Sequence, residues 1–226
     1  MVHPCLFAMQ GETGMAAPRT LIVYIDYKSP YAYLAKDLVY EIERDRAVAI
    51  DWRPYDLNLG DFMGTARVDA EGRVLEENRT AHQWRRVRYS YRDCRRQARK
   101  RGLAIRGTQK IWDSRLALCG MLYAKRQGED VLHRYHDITF ARFWTRDLDI
   151  ENRDVVAAVL AEAGAATAAF PAWFDREGRA ELTAICRDAE DHGVFGVPSF
   201  ILDGELYWGR EHLPDIRAAL AGAPVQ

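Results

Sequence analysis

Five apolar residues in a row, Leu21-Ile22-Val23-Tyr24-Ile25, run straight into Asp26-Tyr27-Lys28-Ser29-Pro30-Tyr31, and this junction constrains the fold more than any other stretch. A short run rich in β-branched and aromatic residues reads as a buried strand. Ser29 suits a helix N-cap, because its oxygen can accept from N–H groups of the first turn. Pro30 suits the first helical position, where no N–H is needed. Tyr33, Leu34, Leu38 and Ile42 then continue at helical spacing. The chain therefore turns directly from strand to helix. A hydroxyl at that point also sits where the aligned peptide dipoles favour an anion or a thiolate. From its local sequence Ser29 is either a simple cap or a cap with a reaction centre.

Residues 47–52 read as a second strand, closed by Arg53-Pro54-Tyr55, and complete a parallel βαβ unit. Residues 56–78 lose periodicity, with Gly60, Gly64 and Gly72 marking turns, and predict a long loop or a pair of short helices over a cleft. Residues 80–101 are helical and densely basic, with Trp84, Val87, Tyr91, Cys94 and Ala98 forming a packing stripe. Such a run reads as a solvated face, with an acidic small molecule as the alternative. Helical patterns then recur to residue 192, with Asp113 or Ser114, and Asp149 or Asn152, as caps. The period changes at Gly193-Val194-Phe195-Gly196-Val197-Pro198-Ser199, which leads into Phe200-Ile201-Leu202. Asp203-Gly204 predicts a tight hairpin returning through residues 205–208, followed by a terminal helix.

The 226 residues, 48% of them hydrophobic, fit one large domain or a compact domain with an insertion. A net charge of -1 implies neither a nucleic-acid nor an anionic-membrane partner, and no apolar stretch reaches membrane-spanning length. Cys5, Cys94, Cys119 and Cys186 form no Cys-x-x-Cys pair, which favours a reduced, cytoplasmic protein. Residues 1–18 read as a loose extension. His133 and His136 have suggestive spacing, but the sequence offers no coherent set of further ligands, so no metal site is expected.

The Asp26-Tyr27-Lys28-Ser29-Pro30-Tyr31-Ala32-Tyr33 opening, the Gly193–Phe200 closing segment, the Asp203-Gly204 hairpin and Tyr207-Trp208-Gly209-Arg210 together resemble the 2-hydroxychromene-2-carboxylate isomerases and kappa-class glutathione transferases of the DsbA superfamily. The resemblance covers residues 21–220. It implies an α/β thioredoxin-like fold with a large helical insertion: residues 19–56 and 193–226 in the thioredoxin-like part, 57–192 in the mainly helical one. It also implies a homodimer and glutathione as cofactor. Dithiol relatives carry two cysteines where this chain has Ser29 and Ala32, so disulfide exchange is not expected at this turn. Ser29 is instead expected to donate to the glutathione thiolate.

The same resemblance implies a cis Val197-Pro198 bond whose backbone at Val197 pairs with the glutathione peptide; by sequence alone Pro198 equally suits a strand boundary. Phe195 and Gly196 shape the cleft, or Phe195 packs in the core. Asp191 would meet the glutathione amino group, and His192 is a binding residue or a cap. Tyr31, Trp112, Asp113, Ser114 and Lys28 are the expected contacts to an aromatic or otherwise electrophilic substrate, with core packing the alternative for Trp112 and solvation for Lys28. The implied activity is isomerisation of 2-hydroxychromene-2-carboxylate or a related intermediate of aromatic-ring degradation. The alternatives are a kappa-like transferase and a non-catalytic DsbA-like binding module. Gly107-Thr108-Gln109-Lys110 and Tyr27-Lys28 depart from the family pattern, which bears on the substrate more than on the fold.

Overall fold

A computed structural model describes residues 19–222 apart from Ala47 and Ala70. The expected extension at 1–18, with Cys5, and the last four residues lie outside the described part. A four-stranded sheet organises the chain, in the order β2-β1-β5-β6, where β1 is Arg19–Ile25, β2 Val48–Pro54, β5 Ser199–Leu202 and β6 Glu205–Trp208. β1 pairs in parallel with β2 and antiparallel with β5, and β5 pairs antiparallel with β6. The central position of β1 explains its unbroken apolar run. Leu21, Val23 and Ile25 enter the main core, while Tyr24 and the half-buried Ile22 join a smaller cluster with Tyr55, Ala189, Val194, Val197 and Ile201.

Helix α1 (Pro30–Asp45) follows β1 after one turn and buries Leu34, Val39 and Ile42. β2 reaches two residues further than the sequence pattern ends; as an edge strand it tolerates Pro54, which lacks a ladder donor. The segment after it differs from expectation. It holds one short helix, α2 (Leu59–Met63), and a hairpin of β3 (Ala66–Val68) with β4 (Val74–Glu77) in place of a second helix. Every residue of β4 is exposed, so no alternating burial pattern marks this ribbon in the sequence.

Helices α3 (Ala81–Lys100), α4 (Arg115–Lys125), α5 (Glu129–Thr145), α6 (Arg153–Glu162), the short α7 (Phe170–Trp173) and α8 (Arg179–Asp191) fill the middle of the chain. A five-residue π-turn, Phe174–Gly178, joins α7 to α8. α3 opens with a capping box between Thr80 and Gln83. Asn152 caps α6 by accepting from Asp154 N and Val155 N. Asp203 and Gly204 both take positive φ, 52° and 85°, as a two-residue hairpin turn requires. The terminal helix α9 is Leu213–Leu220. The fold is thioredoxin-like α/β with a large helical portion between the two groups of strands. No described helix is long and apolar enough to cross a membrane.

Candidate active site

The tight passage from β1 into α1 is built around Asp26. Its backbone carbonyl accepts from Ser29 N at 3.0 Å. Its fully buried carboxylate accepts from Lys28 N (3.0 Å), Leu57 N (2.9 Å) and Ser114 Oγ (3.0 Å), and lies 3.2 Å from Lys28 Nζ. Burial pushes this carboxyl up from its ordinary value, against the opposing pull of Lys28 and the three donors. Lys28 is also ion-paired to Asp56 at 2.7 Å. Burial works to lower the Lys28 ammonium, but Asp26 and Asp56 outweigh it, and the net direction is up. The short sequence Asp26-Tyr27-Lys28 thus locks the turn to the segment after β2 and to the start of α4.

Ser29 caps α1 as its local sequence predicts, accepting from Ala32 N at 3.3 Å. Its hydroxyl donates to Val197 O, also at 3.3 Å. The Val197-Pro198 bond is cis. Ser29, Gly196 and Val197 line one end of a cavity of about 510 Å³. Tyr31, Tyr91, Trp112, Phe195 and Trp208 supply its aromatic surface, and Lys28, Arg79, Arg86 and Lys110 supply positive charge. Phe195 lies against Trp208 with ring centroids 4.8 Å apart, and is half exposed rather than packed in the core. A Cβ at Gly196 would come within 2.7 Å of Trp208 Nε1, so glycine lets the indole close over the loop. This lining contains no cysteine, so the chain offers a hydroxyl and a helix N-terminus here but no thiol of its own.

A second, more polar cavity of about 1100 Å³ adjoins the first, sharing Lys28, Leu57, Leu59, Ile111 and Trp112. Asp113 lines this second space and is ion-paired to Arg115. That pairing, first through the Arg115 side chain, draws the Asp113 carboxyl down from its ordinary value. Cys186, half-buried, lines it too, and burial pushes its thiol up.

Of the expected site residues, Lys28, Ser29, Tyr31, Trp112, Phe195, Gly196 and Val197 come together around the first cavity, and Pro198, next in the chain, is buried and outside the lining. Asp113 lines only the second cavity, and three residues lie outside both linings. Ser114 is fully buried and its hydroxyl is committed to Asp26, so it lines neither cavity and does not act as a side-chain cap of α4. Asp191 and His192 are exposed at the end of α8, outside both linings, where His192 Nδ1 lies 2.7 Å from Asp188 O. Sequence reading passed over Arg79, Tyr91, Thr108, Lys110 and Trp208 as cavity residues, and Asp26 as the buried acid beneath the turn. Arg86 was visible only as one of a basic run; most of that run is exposed to solvent, and Arg86 alone among its arginines lines the cavity.

The family profile described as a DSBA-like thioredoxin domain matches residues 20–221. The chain belongs to this family. Within it, a curated 2-hydroxychromene-2-carboxylate isomerase from Sphingobium xenophagum is 23% identical over 207 residues, spanning 89% of this chain and 98% of the relative. A solved 2-hydroxychromene-2-carboxylate isomerase superposes with a TM-score of 0.69 at 22% identity, covering 90% of this chain and 95% of the other. The cytosolic disulfide reductase DsbM from Pseudomonas aeruginosa, solved with GSH, superposes with a TM-score of 0.58 at 20% identity, covering 90% and 98%. This DSBA-like chain therefore shares its fold with a 2-hydroxychromene-2-carboxylate isomerase and a disulfide reductase, and its own turn from β1 into α1 carries Ser29 and Ala32 with no cysteine.

Proposed function

We propose that this protein is a glutathione-dependent isomerase of 2-hydroxychromene-2-carboxylate or a closely related aromatic acid. One observation carries the reading: the Ser29 hydroxyl, at the N-terminus of α1 and facing the Val197 backbone, opens onto an aromatic cavity edged with positive charge. The donor set suits a thiolate, because a hydroxyl and a helix N-terminus both favour a negative sulfur. Bound glutathione would supply a thiol nucleophile that adds reversibly to an unsaturated carbon and leaves again, so that an isomer is released and the thiol regenerated.

The chain's own part is positioning and charge. Ser29 Oγ turns from Val197 O to donate to the sulfur, a charge-assisted bond stronger than the neutral one it replaces. The Val197 backbone, with Phe195, Gly196 and Pro198 around it, holds the peptide portion. Tyr31 and Trp112 bracket the aromatic ring, and Lys28 and Arg86 attract the carboxylate. Fixing the two reactants together removes much of the entropic barrier to the reaction.

The test is an absorbance assay of chromene isomerisation with purified protein, coupled to mass analysis of the product. Conversion that requires glutathione and yields a product of unchanged mass supports the proposal. Equal conversion without glutathione overturns it, and a product that retains the mass of glutathione identifies a transferase instead. Glutathione binding without turnover identifies a binding module.

A further inference from the structure

The opposite end of α1 carries a second constellation, about 20 Å from Ser29 at 1.5 Å per helical residue. Glu43 projects from the last turns of α1, Glu129 opens α5, and His133 follows one turn later on the same face. One donor atom from each of the three lies within 4.8 Å of the other two. His133 Nε2 approaches Glu43 Oε2 at 3.5 Å, is out of reach of solvent, and has no hydrogen-bond partner among the described residues.

The electrostatics of this cluster are unfavourable as it stands. Burial, and then hydrogen bonding to and repulsion from Glu129, raise the Glu43 carboxyl to about 7, with Arg44 opposing. Burial also lowers the His133 imidazole, against Glu129, Asp137 and Asp130, which favour its charged form, and in concert with Lys36. Lys36 itself is engaged by Asp37 and Asp137. Two carboxyl groups thus lie beside an imidazole whose buried Nε2 has no hydrogen-bond partner among the described residues. Tyr40 steadies that imidazole: its ring lies 4.4 Å from the His133 ring, and its hydroxyl donates to His133 O at 3.4 Å. His136, the neighbour that looks like a second ligand in sequence, points instead into the core, with Nδ1 at 2.9 Å from Tyr27 Oη.

We propose that Glu43, Glu129 and His133 form a binding site for a divalent transition-metal ion, Zn²⁺ foremost, which joins the end of α1 to the start of α5. One imidazole and two carboxylates suit a borderline metal; Mg²⁺ or Ca²⁺, which prefer oxygen alone, would make poor use of the nitrogen. Bonds of about 2.0–2.2 Å require the three donors to draw closer together, and the exposed Glu129 side chain is free to do so. Water completes the coordination on the solvent side.

Calorimetric titration of the tag-free, metal-stripped full chain with Zn²⁺ at neutral pH tests this. Saturable binding of one ion is expected. Glu43→Gln and His133→Ala should each weaken it at least tenfold. Without metal the melting temperature of Glu43→Gln should stay near that of the parent, while the rise on adding Zn²⁺ disappears. A Glu43→Gln variant with parent-like unfolding but no Zn²⁺-dependent rise keeps the test decisive. Absence of saturable binding at millimolar Zn²⁺ overturns the proposal. So does binding unchanged in the Glu43→Gln/His133→Ala double variant, or a thiolate charge-transfer band on Co²⁺ substitution, which would place the metal on cysteine.

Discussion

Ser29 Oγ donates to Val197 O across 3.3 Å, tying together two residues 168 positions apart. The same oxygen accepts from Ala32 N, so one hydroxyl both starts α1 and touches the cis-proline loop. Ser29→Ala removes both contacts. Loss of the cap should cost about 1 kcal/mol of stability, read by denaturant unfolding. Loss of the donor to the thiolate should lower the glutathione-dependent rate roughly 100-fold, by analogy with deletion of an oxyanion donor. A variant with full activity would show that the hydroxyl is a cap alone.

The turn at Ser29 was legible because its chemistry is local: an apolar strand, a capping serine and a proline in the first helical position. The Asp203-Gly204 turn was legible for the same reason. What surrounds Ser29 was less so. Ser114 looks like a helix cap in sequence, yet its hydroxyl answers a buried carboxylate 88 residues earlier. Arg86 and Tyr91 reach the cavity only because α3 docks beside α1, and residue spacing within α3 does not reveal its partner. The solvent-exposed β4 leaves no burial rhythm to read.

Asp26 binds three donors and Lys28 in a site closed to water. Asp26→Asn keeps the shape but places an amide N–H₂ among those donors and leaves Lys28 with Asp56 alone. Breaking one half of a buried ion pair costs about 3 kcal/mol or more, and equilibrium unfolding of this variant should show a loss of that order. A loss below about 1 kcal/mol would mean that the turn at Ser29 does not depend on the carboxylate charge.

Lys28 gives a pH signature. Its ammonium is raised above the ordinary 10.5, with burial opposing and Asp26 and Asp56 prevailing. A group raised in the folded state contributes stability that is fully present below its unfolded value. That contribution is lost as pH climbs through the folded value. The difference in unfolding free energy between the parent and Lys28→Met should therefore shrink as pH climbs above about 10.5. The subtraction cancels the tyrosines that titrate in the same range. A difference that stays flat into strong alkali would show that Lys28 draws no net stability from its two carboxylates.

Gly120 lies in the middle of α4, where a Cβ would overlap Tyr135 Oη and come within 2.8 Å of Tyr135 Cζ. Tyr135 is fully buried and donates to Ala117 O at 2.9 Å, so it has little room to retreat. Alanine gains about 1 kcal/mol of helix propensity over glycine, but overpacking a dense core costs about 1–3 kcal/mol and here also displaces a buried hydroxyl. Gly120→Ala should lower stability by about 1–2 kcal/mol in denaturant unfolding. A stabilised variant would mean that α4 and α5 can separate at this crossing.

Arg86 lines the aromatic cavity from an exposed position on α3 and has no ion-pair partner among the described residues. Lys110, also in the lining, is already bound to Glu151 at 2.5 Å. The free guanidinium is therefore the better attractor for a substrate carboxylate, which it can grip through two parallel N–H donors. Such a contact exists equally before and during reaction. Arg86→Ala should raise KM about tenfold, a loss near 1.4 kcal/mol, and leave kcat within about twofold. Arg85→Ala, on the exposed face outside the lining, is the control and should change neither. A methyl ester of the substrate, which lacks the negative charge, should be turned over by Arg86→Ala and parent alike. An ester that still distinguishes the two proteins would assign Arg86 to packing against the ring, with the carboxylate held elsewhere.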